Sequence, residues 1–156
     1  MPVLPGEGLV KVIDVDAYIR RMSDPRTGYT FDITVMELKL ENGGKFTMSN
    51  IPIEIVEAVN VIKNNIGIPR RQSLFVFLMN SEYFREAAIN AVKEVIIDEM
   101  DSRTGLYTAT LVLEEDGFTL RLKMIPSHAV YIALLANKPI YVLEKLVVEG
   151  ASEEEF

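Results

Sequence analysis

The sequence predicts an α+β fold in which two similar strand–strand–helix units pack as one compact domain, with mostly antiparallel sheets and helices. A turn sequence occurs twice, as Asp-Pro-Arg-Thr-Gly at 24–28 and as Asp-Ser-Arg-Thr-Gly at 101–105. Two alternating apolar and polar runs around a Gly-containing turn follow each copy. An Ile-Pro pair then precedes an apolar helical stretch, at 51–52 and at 125–126. A common turn would explain the glycines but not this shared order, so the pattern predicts an internal duplication.

Length and composition indicate one globular domain, since 49% of the 156 residues are apolar and 25% are charged. We predict a domain over residues 1–150, with repeat units at about 10–66 and 93–142, followed by an acidic tail at 151–156. The sequence has no Cys, which excludes disulfides, thiolate nucleophiles and Cys-ligated zinc. It shows no signal segment and no bilayer-length apolar run, so it predicts a cytoplasmic protein without a membrane partner.

The net charge of −7 counts against non-specific adhesion to nucleic acid, which requires Lys and Arg to neutralise phosphates. A local basic groove stays open as an alternative, although each candidate for it is also typical of solvated surface. The candidates are Arg20-Arg21, Arg70-Arg71 and the pair Arg121 and Lys123.

Alternating and helical periodicities define the first unit. Strands are predicted at 9–18, 29–40 and 45–49, and an Asn-Gly-Gly turn joins the last two. A helix is predicted at 53–64, where apolar residues recur at helical spacing and Gly67 follows the end.

Two short helices are predicted between the units, within residues 69–92, with Ser81 as the N-cap of the second. The first contains the run from Leu74 to Leu78, which is apolar almost all round. Such a run should be buried inside the monomer or across a two-fold interface. The sequence therefore predicts a homo-oligomer, either a dimer or a larger assembly.

The second unit is predicted to contain strands at 94–100, 106–113 and 118–124. Residues 140–148 are predicted to form a final strand, or a strand followed by a short extension. A helix is predicted at 127–136, with its first residue, a serine, as the N-cap. The strand at 118–124 alternates between an inward apolar set and an outward polar set. The inward set is Phe118, Leu120, Leu122 and Met124, and the outward set is Thr119, Arg121 and Lys123.

Two groups of side chains could take part in catalysis or metal binding, but they do not indicate a particular reaction. His128 is the only histidine and follows the predicted N-cap, where it could bind a metal or act as a base. Alternatively it is a partly buried histidine without a role. Asp14 and Asp16 share one face of a strand and could chelate a hard cation such as Mg²⁺, although acidic residues are also common at strand ends. The sequence has no nucleophile elbow, phosphate loop, dinucleotide turn or His-rich zinc motif.

The segment at 123–142, Lys-Met-Ile-Pro-Ser-His-Ala-Val-Tyr-Ile-Ala-Leu-Leu-Ala-Asn-Lys-Pro-Ile-Tyr-Val, resembles the signature of the bifunctional nuclease family. That signature is an Arg-Pro-Ser-Asp-Ala-Ile-Ala-Leu-Ala helix followed by a Thr-Gly-Ala-Pro-Ile-Tyr-Val strand. The first unit is similar to the family as well. Residues 51–55 match its Leu-Pro-Ile-Trp-Ile, and Glu57-Ala58 matches its Glu-Ala. The resemblance runs from about Val10 to Val148.

The resemblance implies a compact α+β fold, cleavage of RNA and DNA, and association into oligomers. It implies catalytic roles for Glu57, as metal ligand or base, for Ser127, and for His128 in place of the family's Asp. The metal is not specified, and Mg²⁺ or Mn²⁺ would serve. The chain departs from the family pattern at Ile125, at His128 and at 71–73, where Arg-Gln-Ser replaces Thr-His-Asp. The alternative is a catalytically silent oligomeric binding or scaffold module of the same fold.

Overall fold

A seven-stranded mixed sheet with helices packed against it forms the protein, as seen in a computed structural model that describes residues 8–147. The α+β prediction is confirmed. The strands are β1 (Leu9–Ser23), β2 (Thr30–Leu40), β3 (Lys45–Ser49), β4 (Val92–Met100), β5 (Tyr107–Glu115), β6 (Phe118–Met124) and β7 (Ile140–Leu143). The helices are α1 (Ile53–Asn64), α2 (Leu74–Met79), α3 (Glu82–Ala91) and α4 (Pro126–Ala136), and one helical turn follows β7 at 144–147.

The strand order is β3-β2-β1-β7-β4-β5-β6, and each pairing is antiparallel except the parallel pair of β4 and β7. The sheet is strongly curled. The Phe46 ring on β3 lies 4.9 Å from the Tyr107 ring on β5, although four strands separate these two in the sheet order. A flat sheet would place them about 24 Å apart, at roughly 4.8 Å per strand. The curl lets both halves of the sheet pack against α1 and α4 in one core.

The two repeated turn sequences form the same hydrogen bonds. In the first, the Asp24 carboxylate accepts from the N–H two residues later at 2.8 Å, and the Asp24 carbonyl accepts from Gly28 N–H at 2.8 Å. The corresponding distances at Asp101 are 2.9 Å and 2.7 Å. Gly28 and Gly105 have φ of 73° and 72°, a left-handed conformation that favours glycine. The turns therefore match, while the duplication of whole units stays a prediction.

Several predicted boundaries were wrong. β1 continues to Ser23 instead of ending at residue 18, since its outer part pairs with β2 as a hairpin that extends beyond the core. Helix α4 begins at Pro126, so Ser127 lies inside the helix and is not its N-cap; that position is Ile125. The last strand ends at Leu143 and the helical turn follows it, so the single long strand was wrong and the alternative of a strand with a short extension agrees with the structure. Residue 148 and the predicted tail at 151–156 lie outside the described residues.

The predicted burial of β6 was also wrong. Phe118, Leu120 and Leu122 are 74%, 57% and 45% exposed. They do lie on the core-facing side, because Leu120 and Leu122 pair with Leu113 and Leu111 of β5. The last strand of the sheet, however, lies beyond the helices that cover its neighbours. The alternating pattern therefore predicted correctly which side chains of β6 lie on the core-facing side, but it did not predict that they are exposed.

The apolar run in α2 is only partly buried. Val76 is fully buried and Phe75 is half-buried, whereas Leu74 and Phe77 are 64% and 59% exposed. Burial inside the monomer is therefore wrong for Leu74 and Phe77, and their burial between subunits stays a prediction. Among the helices of the described segment, none has the length and hydrophobicity to cross a bilayer.

Candidate active site

A cleft of about 290 Å³ lies beside the start of α1 and contains the predicted site residue Glu57. Helix α1 is amphipathic, and its buried face leaves Glu54 and Glu57 on the opposite side, three residues apart. The loop before α2 forms the other wall of the cleft. Its lining residues are Arg71, Gln72 and Ser73, at the positions where the family has Thr-His-Asp.

A helix cap holds the loop wall of this cleft in place. The Ser73 hydroxyl accepts a hydrogen bond from Val76 N–H at 3.2 Å, which caps α2 and fixes the end of the loop. The start of α1 differs, because its N-cap residue is Pro52 and no side chain caps it. The first N–H groups of a helix lack partners within the helix, and they suit an anion such as a phosphate. The cleft therefore combines carboxylates, a guanidinium and an uncapped helix start.

The other two predicted site residues lie at the start of α4. Ser127 is buried, with 2% of its surface exposed. His128 is half-buried, and its ring centroid lies 5.2 Å from that of Phe75 in an edge-on arrangement. The Phe75 ring lies at the same distance from Tyr131. Phe75 thus packs α2 onto α4 beside His128.

Tyr131 strengthens this connection between the two helices. Its hydroxyl donates a hydrogen bond to the Phe75 carbonyl. Burial raises the pKa of Tyr131 to about 12, so the hydroxyl keeps its proton and the donor at neutral pH.

The structure brings only part of the predicted site together. Among the described residues, the lining of the Glu57 cleft includes neither Ser127 nor His128. Helix α2 connects the two places, since Ser73 borders the cleft and Phe75 contacts His128 two residues later. The catalytic assignment of Glu57, Ser127 and His128 therefore stays a prediction.

The Asp14 and Asp16 pair already has a cationic partner. The Lys63 ammonium lies 2.6 Å from Asp14 Oδ1 and 3.2 Å from Asp16 Oδ1, and it also donates to the Val15 carbonyl. The hydrogen bond from Lys63 lowers the pKa of Asp14. Burial opposes the charge on Lys63, but hydrogen bonds to Asp14 and Asp16 outweigh it and raise the pKa of Lys63. Sequence reasoning missed Lys63, which lies 49 residues from Asp14 in the chain.

Acidic neighbours accompany two of the three basic candidates. Arg21 pairs with Asp32 at 3.2 Å, and Lys123 pairs with Glu99 at 2.7 Å. In the third pair, Arg71 lines the Glu57 cleft. The structure thus distinguishes Arg71 as the basic candidate that adjoins predicted site chemistry.

The described residues, 8–147, contain no group of three or more His, Asp or Glu side chains placed to hold a metal ion. Mg²⁺ is often held by only one or two carboxylates together with waters and substrate phosphates. Glu54 and Glu57, which line one cleft, fit that smaller requirement.

The comparison with protein families agrees with the resemblance in the sequence. The profile of the bifunctional nuclease domain matches residues 38–155, which is well over half of the chain. That span includes α1 with its cleft, α2 and the whole second half of the described sheet. No curated protein matches the chain. The match establishes the family: this chain belongs to the bifunctional nuclease domain family.

Proposed function

We propose that this protein hydrolyses phosphodiester bonds of RNA and DNA at the Glu57 cleft. The observation that carries the proposal is the placement of Glu57 with Arg71 beside the uncapped start of α1 in a chain of this family. A phosphodiesterase needs a base for water and positive charge around the phosphoryl group, and this cleft offers both.

In the proposed reaction, Glu57 takes a proton from water while the water oxygen bonds to phosphorus. The bond from phosphorus to the leaving oxygen then breaks, and that oxygen takes a proton from solvent water. Arg71 and the first N–H groups of α1 neutralise charge on the phosphoryl oxygens. His128 is the second proposed base and Ser127 the third site residue, since α2 connects the start of α4 to the cleft.

A divalent cation, Mg²⁺ or Mn²⁺, is part of the proposal. Where Glu57 serves as metal ligand instead of base, it would hold the ion together with Glu54, and His128 would be the base. Such an ion would neutralise charge on the phosphoryl group and lower the pKa of a bound water.

Cleavage of single-stranded RNA and DNA, measured with Mg²⁺ or Mn²⁺ and then with a chelator, tests the proposal. We expect Glu57→Gln and His128→Ala each to lower turnover by about a hundredfold or more. Glu86→Gln is the matched control, because Glu86 is an exposed helical glutamate on α3. Cleavage that survives Glu57→Gln unchanged would remove the assignment of this cleft.

The second candidate function is a silent binding or scaffold module. The burial of Ser127 and the position of His128 outside the Glu57 cleft favour it. The exposed Leu74 and Phe77 support the homo-oligomer that it requires. Absence of cleavage under every metal condition, together with an oligomer in light scattering, would support this reading.

A further inference from the structure

The outer part of the β1–β2 hairpin, at residues 19–33, forms an arm that carries exposed aromatic and basic side chains together. Tyr29 and Phe31 are 67% and 42% exposed, and their rings lie 6.3 Å apart with an angle of 22° between the ring planes. Exposed aromatic rings are typical platforms for the bases of single-stranded nucleic acid. We propose that this arm binds single-stranded RNA or DNA. Its two rings stack on bases, and Arg20 and Arg26 contact phosphates. This choice of ligand rests on the proposed function.

Strand pairing puts the rings and one arginine on the same face of the arm. Phe31 is paired with Met22, and the next pair on that face is Ile33 with Arg20. Arg20 is thus the diagonal neighbour of Phe31, at about 7–8 Å, a distance that a long side chain can span. The opposite face is the one that packs onto the core further along the hairpin. The aromatic face is therefore turned away from the core and accessible to a ligand.

The charge of the arm suits a polyanion although the whole chain is acidic. The arm contains three arginines and two aspartates, in a chain with a net charge of −7. Arg21 is paired with Asp32. The exposed guanidinium groups of Arg20 and Arg26 form no ion pair in the described part of the chain. They can therefore neutralise phosphates without first breaking an ion pair.

The second copy of the turn sequence provides a comparison within the same chain. In the first turn, Tyr29 N–H donates to the Thr27 hydroxyl at 3.1 Å, and the Tyr29 carbonyl accepts from Asp24 N–H at 2.8 Å. Leu106 occupies the corresponding position of the second turn, where the same two bonds measure 3.2 Å and 2.9 Å. Leu106 is also exposed, at 68%. The turn itself therefore does not require an aromatic ring at this position.

The arginines of the two turns differ as well. Arg103 lies 3.5 Å from the Asp101 carboxylate in the second turn. Its counterpart in the first turn, Arg26, has no carboxylate partner among the described residues. The position of the second ring, Phe31, is occupied by Thr108 in the second copy. A stacked ring pair next to an unpaired arginine thus occurs at the first turn and not at the second, so the shared turn structure does not account for it.

The base of the arm is bonded to the segment that leads into α1. Asn50 N–H donates to the Thr34 carbonyl at 2.9 Å, and the Thr34 hydroxyl donates to the Ile51 carbonyl. Phe31 lies three residues beyond Thr34 on β2, about 10 Å along the strand. The proposed cleft lies at the start of α1, and none of its lining residues belongs to the arm. The arm is thus a separate site attached beside the cleft, and a strand that it binds is retained near the site of cleavage.

Fluorescence anisotropy tests binding without cleavage. The probe is a fluorescein-labelled oligothymidylate of about 12 nucleotides, and a chelator prevents metal-dependent hydrolysis. We expect the dissociation constant to rise at least about fivefold in Tyr29→Leu and in Phe31→Leu, which keep an apolar side chain but lose the ring. Phe31→Trp should retain binding, because it keeps an aromatic face. Leu106→Ala is the matched control and should leave the dissociation constant unchanged, while circular dichroism shows that each variant is folded.

Salt dependence tests the arginines independently of the rings. Loss of one phosphate contact to a single strand should reduce the slope of the logarithm of affinity against the logarithm of salt concentration by about 0.7. We expect this reduction for Arg20→Gln and for Arg26→Gln. Arg103→Gln, at the corresponding position of the second turn, should leave the slope unchanged. An unchanged slope in both arm variants would overturn the phosphate contacts, since a merely structural role does not alter it.

The binding measurements separate the arm from the proposed catalysis. Binding that Tyr29→Leu and Phe31→Leu weaken would support the arm even if the protein cleaves nothing. Absence of binding by the native chain, or equally tight binding of a duplex of the same length, would overturn the arm even if the protein cleaves nucleic acid. A lower mass of Tyr29→Leu in analytical ultracentrifugation, with binding unchanged, would identify a second copy as the occupant and would also overturn the proposal.

Discussion

Replacing Lys63 with methionine should destabilise the fold more than a typical surface substitution. The ammonium bonds to Asp14, Asp16 and the Val15 carbonyl, and the Lys63 side chain is only 22% exposed. The bond to the carbonyl contributes about 1–1.5 kcal/mol. Each half-exposed ion pair adds about 0.5 kcal/mol after screening. Lys63→Met should therefore lower the free energy of unfolding by about 2 kcal/mol, and the melting temperature by about 4–8 °C.

The cost of this substitution should depend on pH in a defined direction. The folded-state pKa of Asp14 lies below its ordinary value of 3.8, so its stabilisation is present above the unfolded-state pKa. It is lost as the pH falls through the lowered folded-state pKa. The raised pKa of Lys63 acts in the opposite direction, and its contribution is lost as the pH rises above that value, beyond 10.5. The difference in the free energy of unfolding between the native chain and the variant should thus be constant at neutral pH and shrink below about pH 4.

Urea unfolding followed by circular dichroism, from pH 7 down to pH 3, measures this difference. Lys39→Met is the matched control, because Lys39 contacts the same Asp16 carboxylate at 3.7 Å and is 46% exposed. The control should change the free energy of unfolding by less than about 0.5 kcal/mol. Equal effects of the two substitutions, or a Lys63→Met effect that persists unchanged at pH 3, would refute the reasoning.

Two further predictions concern the helix contact and the repeated turn. Tyr131→Phe should lower the free energy of unfolding by about 1–2 kcal/mol, because the Phe75 carbonyl loses its buried donor; chemical denaturation measures this, and no change would contradict it. Gly28→Ala and Gly105→Ala should each lower the free energy of unfolding by about 1 kcal/mol. The two losses should be similar, because at both positions a Cβ would meet no atom within 4 Å and only the left-handed backbone would be strained. Thermal melts of both variants test this, and clearly unequal losses would argue against equivalent turns.

Sequence periodicity predicted the strands wherever one face of the strand packs against the core, because apolar and polar residues alternate in such strands. It failed in the outer half of β1, where Arg20 and Arg21 interrupt the apolar pattern. Residues 12–23 nevertheless pair with β2, and backbone hydrogen bonds hold this arm where Ile19 and Phe31 are 53% and 42% exposed. A backbone ladder leaves no trace in side-chain alternation. Such a hairpin arm becomes visible only once its partner strand is placed.

The residues of the candidate site were predicted from their positions in the family pattern, whereas the geometry of the site could not be predicted from the sequence. Glu57 was identified through a two-residue match, yet its cleft depends on the loop at 70–73, which a helix cap on Ser73 holds in place. Arg71 had counted as a departure from the family, and the structure places it in the cleft with Glu57. Ser127 was interpreted as a cap because Ser often caps helices, whereas Pro126 begins the helix one residue earlier.

The two three-stranded halves show why alternation alone does not determine burial. β3 and β6 each close a hairpin, and each alternates apolar residues on the core-facing side. Phe46 of β3 is buried because the curl of the sheet brings Tyr107 against it. Leu120 of β6 has the same pattern but lies at the opposite edge, beyond the helices, and remains exposed. The alternating pattern of a strand therefore indicates which of its faces is apolar. The rest of the fold determines whether other elements of the same chain bury that face. For β6, no element among residues 8–147 buries that face.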